Sequence, residues 1–200
     1  MDISEFEVPE FYQKTQWPPR EYDPILREMG RLIFNWNSIE NSTRNILDAL
    51  IGAGQKSNIL TAHMGTQSQL DALKTIANGF LNDDEKNHIL HAISLYSRLR
   101  EYRNYFVHSF SMLYGPTPMA GLSSLKAKGN LVKDELKLTE DEFVHISTVV
   151  RCAVHYFNLV LCHFRYKDNQ LEEYRIYDEL PSFFPIPPQL SKDRRSLIDP

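Results

Sequence analysis

The run Arg98-Leu99-Arg100-Glu101-Tyr102-Arg103-Asn104-Tyr105-Phe106-Val107-His108 concentrates the residues of this chain whose types suit phosphate chemistry. A guanidinium stays charged and offers a fork of donors to a phosphate, while an imidazole titrates near neutral pH and can carry a proton. With Ile89 at 0° and about 100° per residue, the apolar set Ala92, Ile93, Tyr96, Leu99, Phe106 and Val107 occupies an arc from roughly 260° through 40°. Arg103 falls at about 320°, inside that arc. An arginine aimed into a core is costly unless a carboxylate or a solvated cleft meets it.

The first apolar stripe of the chain supplies a candidate partner. Measured from Ile25, Glu40 lies at about 60°, among Ile33, Trp36 and Leu47. Two opposite charges, each misplaced on its own helix, are most simply explained if they face each other or a shared cleft. His108 and Asn104 lie about 40° apart, with Glu101 and Ser97 along the same stripe. Arg103 is about 140° from His108, so one ideal helix does not aim both at one phosphate. The arginine must use its length, the helix must be ending, or a second protomer must bring its own copy.

Elements that would position these residues can be read from apolar periodicity. Asp23 and Pro24 suit an N-cap and a first helical position, and Ile25 to Leu50 recur at three- and four-residue spacing until Gly52 and Gly54. Further apolar stripes predict helices over 66–81, 84–108 and 140–166, the last opened by the capping-box pair Thr139 and Glu142. Between 110 and 138 the helical period is lost, and 122–128 with 131–138 around Gly129-Asn130 resemble a short hairpin. The predicted architecture is all-α, an antiparallel helical bundle with a small β-hairpin insertion. The expected layout is an N-terminal arm over 1–20, a helical domain over 21–170 with the insertion at 110–138, and a Pro-rich tail over 171–200. Pro181, Pro185, Pro187, Pro188 and Pro200 predict an extended or disordered tail.

Composition narrows the partners. With 200 residues, 42% hydrophobic and a net charge of -4, the chain can bury a core and has no broad attraction for nucleic acid. The charge is uneven: 98–137 carries seven basic and three acidic side chains, a local +4 that leaves -8 elsewhere. Lys126 and Lys128 on the hairpin, with Arg98 and Arg100, would form a basic rim, and Tyr102 and Tyr105 could stack on bases. No apolar run approaches the ~18 residues of a membrane span, and the start lacks a signal-peptide pattern, so a soluble cytoplasmic protein is expected. Cys152 and Cys162, ten apart on one helix and so about 15 Å apart, read as small buried hydrophobes. The remaining histidines show no metal-ligand spacing, and His88 and His91 read as solvated. No phosphate-binding glycine loop, nucleophile elbow or cofactor motif appears, so no cofactor or metal is expected.

The motif Arg103-Asn104-Tyr105-Phe106-Val107-His108 near the end of a long helix resembles the signature of HEPN domains, and Trp36-Asn37-Ser38-Ile39-Glu40 is similar to the first helix of several HEPN groups. The resemblance covers about residues 24–166. It implies a compact helical bundle, usually a homodimer, with two motifs facing a shared cleft. Many members are metal-independent endoribonucleases of toxin-antitoxin or antiviral defence systems; others bind nucleotides or protein partners without catalysis. Carried over, His108 is the general acid/base, Arg103 stabilises the phosphorane charge and Asn104 orients groups in the cleft, with Glu40 and Glu101 in support. In one toxin branch a tyrosine two places after the histidine is modified by an antitoxin; this chain has Phe110 there. The plainer readings are a His108 that complements a helix dipole, an Arg103–Glu40 pair that is structural, and hairpin lysines that are merely solvated.

Overall fold

The computed structural model describes residues 23–52, 54–108, 110–114, 119–128, 130–167, 177–190 and 193–196; for 55, 108, 110–114, 119–128, 130–137 and 193–196 it describes backbone alone. The predicted arm over 1–20 lies outside the described residues. Five helices make the described residues mostly helical: α1 (Asp23–Ile51), α2 (Gln55–Ala62), α3 (Thr66–Phe80), α4 (Asp83–His108) and α5 (Glu140–Tyr166).

Local chemistry explains the boundaries. Gly52 and Gly54 take φ of 67° and 59°, a left-handed backbone that costs glycine little, and they stop α1. Asn82 Oδ1 accepts from the Glu85 backbone N–H at 3.0 Å and so caps α4. At α5 the capping box is complete: Thr139 Oγ1 accepts from Glu142 N at 3.3 Å, and Glu142 Oε2 accepts from Thr139 N at 2.7 Å. The short α2 has no counterpart in the periodicity, because it exposes Ile59 and Leu60 and is held by Thr61, whose buried hydroxyl donates to Asp48 Oδ1 at 2.7 Å.

One core joins the helices. Trp36, Ile39 and Leu47 of α1, Leu73 of α3, Leu95, Tyr96 and Leu99 of α4, and Phe143, Phe157 and Val160 of α5 are all nearly solvent-free. The Trp36 and Tyr96 rings meet at 4.9 Å and those of Phe106 and Phe143 at 5.0 Å, spacings that reward aromatic packing beyond area burial. Ile33, Phe80 and Val107, placed on apolar stripes by periodicity, are exposed instead. Helix α5 is long and apolar enough, by length and composition, to cross a membrane, but its stripe from Phe143 to Phe164 is buried against the other helices. Cys152 on its outer face is exposed and Cys162 half-buried, so the expectation of two buried thiols is corrected.

The insertion is larger than a hairpin. Strands β1 (Phe110–Tyr114), β2 (Met119–Lys128), β3 (Asn130–Thr139) and β4 (Asp193–Ser196) form one antiparallel sheet in the order β1-β2-β3-β4. β2 pairs with β3 from Met119↔Thr139 to Lys128↔Asn130, and the distant β4 adds Asp193–Ser196 opposite Glu135–Val132. The described part of the Pro-rich tail is thus extended but docked: Phe184 and Leu190 pack on the core, and the chain then joins the sheet.

Candidate functional site

The last turns of α4 hold the motif. Arg103 and Asn104 are half-buried, and the Arg103 guanidinium donates to Asn104 Oδ1 at 3.1 Å. His108 is the final residue of α4; its side chain lies outside the described residues. β1 begins two residues later, and its first residue, Phe110, is level with Ser123 of β2. Lys126 therefore stands three residues, about 10 Å of strand, beyond the level of Phe110, and Lys128 two further. The side chains of both lysines lie outside the described residues.

Several expected neighbours sit elsewhere. Glu40 accepts a hydrogen bond from the Tyr96 hydroxyl at 3.2 Å, and no ion pair between Glu40 and Arg103 occurs among the described residues. The Tyr96 hydroxyl is held well above the usual tyrosine range, first by burial and then by the Glu40 carboxylate; Thr66 and the charge of Arg100 pull the other way. Glu101 is exposed and meets Arg98 at 3.4 Å one turn away, so it faces solvent rather than Arg103. Arg100 is exposed. Tyr102 and Tyr105 are buried at 4% and 5% exposure, so neither presents a ring face for base stacking as the sequence suggested. Tyr102 is covered by chain that periodicity left unassigned, its hydroxyl donating to Pro188 O at 2.6 Å.

A second polar centre, which the motif search missed, lies at the other end of α4. Glu85, His88 and His163 are buried, and they line a cavity of about 760 Å³ together with Lys167, Asp84 and Phe183. Glu85 Oε1 accepts from Lys167 Nζ at 2.5 Å and lies 3.6 Å from His163 Nε2. Burial pushes the Glu85 carboxyl up, but the Lys167 bond and charge, aided by His163, outweigh it and hold the group below the usual carboxylate range. His88 is buried rather than solvated; its Nδ1 meets the Tyr156 hydroxyl at 3.2 Å and its ring stacks on Phe183 at 4.2 Å. Burial, then the neighbouring His91 and His163, lower its pKa, with Asp84 opposing. The signal was present in the sequence: on the α4 wheel Glu85 falls at about 320°, the angle of Arg103, and His88 at about 260°, on the edge of the apolar arc. No group of three or more His, Cys, Asp or Glu among the described residues has metal-binding geometry.

Comparisons with family models, with curated proteins and with solved structures find no match to this chain.

Proposed function

We propose that this chain is a metal-independent endoribonuclease of HEPN type, an antiparallel helical bundle acting as a homodimer in the cytoplasm. The observation that carries the reading is the pairing of a half-buried Arg103, oriented by Asn104, with a histidine that ends the same helix five residues later. The ~140° between Arg103 and His108 favours a cleft shared by two copies, because one helix cannot aim both at a single phosphate.

In that cleft one His108 imidazole takes the proton of an RNA 2′-hydroxyl as the oxygen attacks phosphorus. The bond to the 5′-oxygen breaks, and the leaving oxygen receives a proton from the second copy of His108. Arg103 stabilises the charge on the phosphorane oxygens. The products are a 2′,3′-cyclic phosphate and a 5′-hydroxyl. Arg98, Arg100, Lys126 and Lys128 would attract the backbone. A protein of antitoxin type would be the natural regulator.

Burial of Tyr102 and Tyr105 favours a second reading, a non-catalytic HEPN-like module that holds a nucleotide or a protein in the same cleft. Incubating RNA with the wild type and with His108→Ala in excess chelator separates the two. Cleavage that falls 10²-fold or more in the variant is the expected result. Equal background in both, with folded protein, would remove the enzyme reading.

A further inference from the structure

Residues 177–190 cross the groove between α4 and α5 as an extended, proline-punctuated strap, Tyr177 to Leu190. Among the described residues, no backbone–backbone hydrogen bond ties positions 181–190 to the body. The strap is instead held through its carbonyls. His163 Nδ1–H donates to Tyr177 O at 2.8 Å, His91 Nε2–H donates to Phe184 O at 2.7 Å, and the Tyr102 hydroxyl donates to Pro188 O at 2.6 Å. A carbonyl can only accept, so these contacts fix the proton on Nδ1 of His163 and on Nε2 of His91.

Ring contacts add to this. Phe183 stacks on His88 at 4.2 Å and lies 4.8 Å from His91, while Phe184 packs on the core. The strap runs in the same direction as α4: Phe184 meets His91 and Pro188 meets Tyr102, about 16 Å of helix spanned by four extended residues and the reach of the side chains. Carbonyls read by side-chain donors, prolines with no N–H that would need an acceptor, and aromatic rings against aromatic walls are the chemistry by which grooves recognise polyproline-type segments.

The fit is loose. Cavities of about 550 Å³ and 390 Å³ flank the strap, the first against Arg151, Cys152 and Leu159 of α5, the second against His145 and Val149. Phe183 is 52% and Ile186 42% exposed, so two of its apolar side chains remain half in water.

We infer that the α4–α5 groove is a docking site for proline-rich, aromatic-led peptides, which residues 177–190 occupy in cis, so that a partner protein presenting such a segment displaces the chain's own. The cis segment competes at high effective concentration, and the partner must outbid it by avidity or by a better fit to the two cavities.

The test uses the full chain and a fluorescent peptide of the strap sequence 180–190. With both Phe183 and Phe184 changed to alanine, the weakened cis segment should let the peptide bind at least tenfold tighter than to the wild type, as read by anisotropy. A scrambled peptide should not bind, and adding Tyr102→Phe should reduce binding. Failure of the peptide to bind the folded double variant would overturn the inference. Should that variant not fold, NMR on the wild type decides: millimolar peptide should move the amide signals of Phe183, Phe184 and Ile186 toward random-coil positions. Unmoved signals at millimolar peptide overturn the inference equally.

Discussion

Tyr96 donates to Glu40 at 3.2 Å on the very face of α4 that carries Arg103 seven residues later. Seven residues turn a helix through about 700°, so Tyr96 and Arg103 lie about 20° apart in angle and ~10 Å apart along the axis. Glu40 therefore meets the same face of α4 as Arg103, at the level of Tyr96, and takes its hydrogen bond from the tyrosine hydroxyl.

Replacing Tyr96 by Phe should destabilise the protein by about 1–2 kcal/mol, since the half-buried Glu40 loses a donor while the ring stack on Trp36 remains. Urea denaturation measures this. A midpoint equal to that of the wild type would mean that water replaces the hydroxyl without cost.

The separation of Glu40 from Arg103 has its own test. A double-mutant cycle with Glu40→Ala and Arg103→Ala should show effects that add to within about 0.5 kcal/mol, as for groups that form no ion pair with each other. A coupling above about 1 kcal/mol would place the two side chains in contact.

Lys167→Ala should cost about 1–3 kcal/mol near neutral pH, because it strips the closest partner from a buried carboxylate; solvent at the lysine keeps the loss at the lower end. At pH 4 the penalty should shrink, since Glu85 without its lysine takes up a proton. A penalty equal at both pH values would show that the ion pair contributes nothing.

Acid should destabilise the fold in two stages. The folded-state pKa of His88 lies below the ordinary 6.5, so its contribution is full above 6.5 and is lost as pH falls through the folded value. Glu85, held below its ordinary 4.5, contributes fully above 4.5 and is lost as pH falls through its own folded value. His88→Phe keeps the ring against Phe183 and should flatten the melting-temperature slope between pH 7 and pH 5.5. Parallel slopes for variant and wild type would rule out His88 as the group that titrates.

The thiols report on the α5 surface. Cys152 should react with an aromatic disulfide reagent within the mixing phase of a native sample, and Cys162 at least several-fold more slowly. Equal rates would contradict the orientation of α5.

Periodicity was a good guide to the long helices because each must bury one stripe, and the caps at Asn82 and Thr139 marked where two of them start and Gly52 where another stops. It failed where a segment is held by something other than its own amphipathicity. Helix α2 depends on Thr61 and Asp48, the strap on carbonyls read by histidines and a tyrosine, and β4 on a partner strand some sixty residues earlier. In the motif, residue types were legible and side-chain company was not. Arg103 and Glu85 occupy the same wheel angle, yet only the first stood within a familiar motif, so the buried Glu85–Lys167 pair went unread.

The strap also fixes an order of events. During synthesis from the N-terminus, His91 of α4 and Tyr156 of α5 are made before Phe184, 93 residues after His91, can bring its carbonyl oxygen to the His91 N–H. Contacts that distant in sequence form late, after local helices and their first core have condensed. The walls of the groove are therefore synthesised before the segment that fills it, and a proline-rich protein present at that stage would meet them before the cis segment docks.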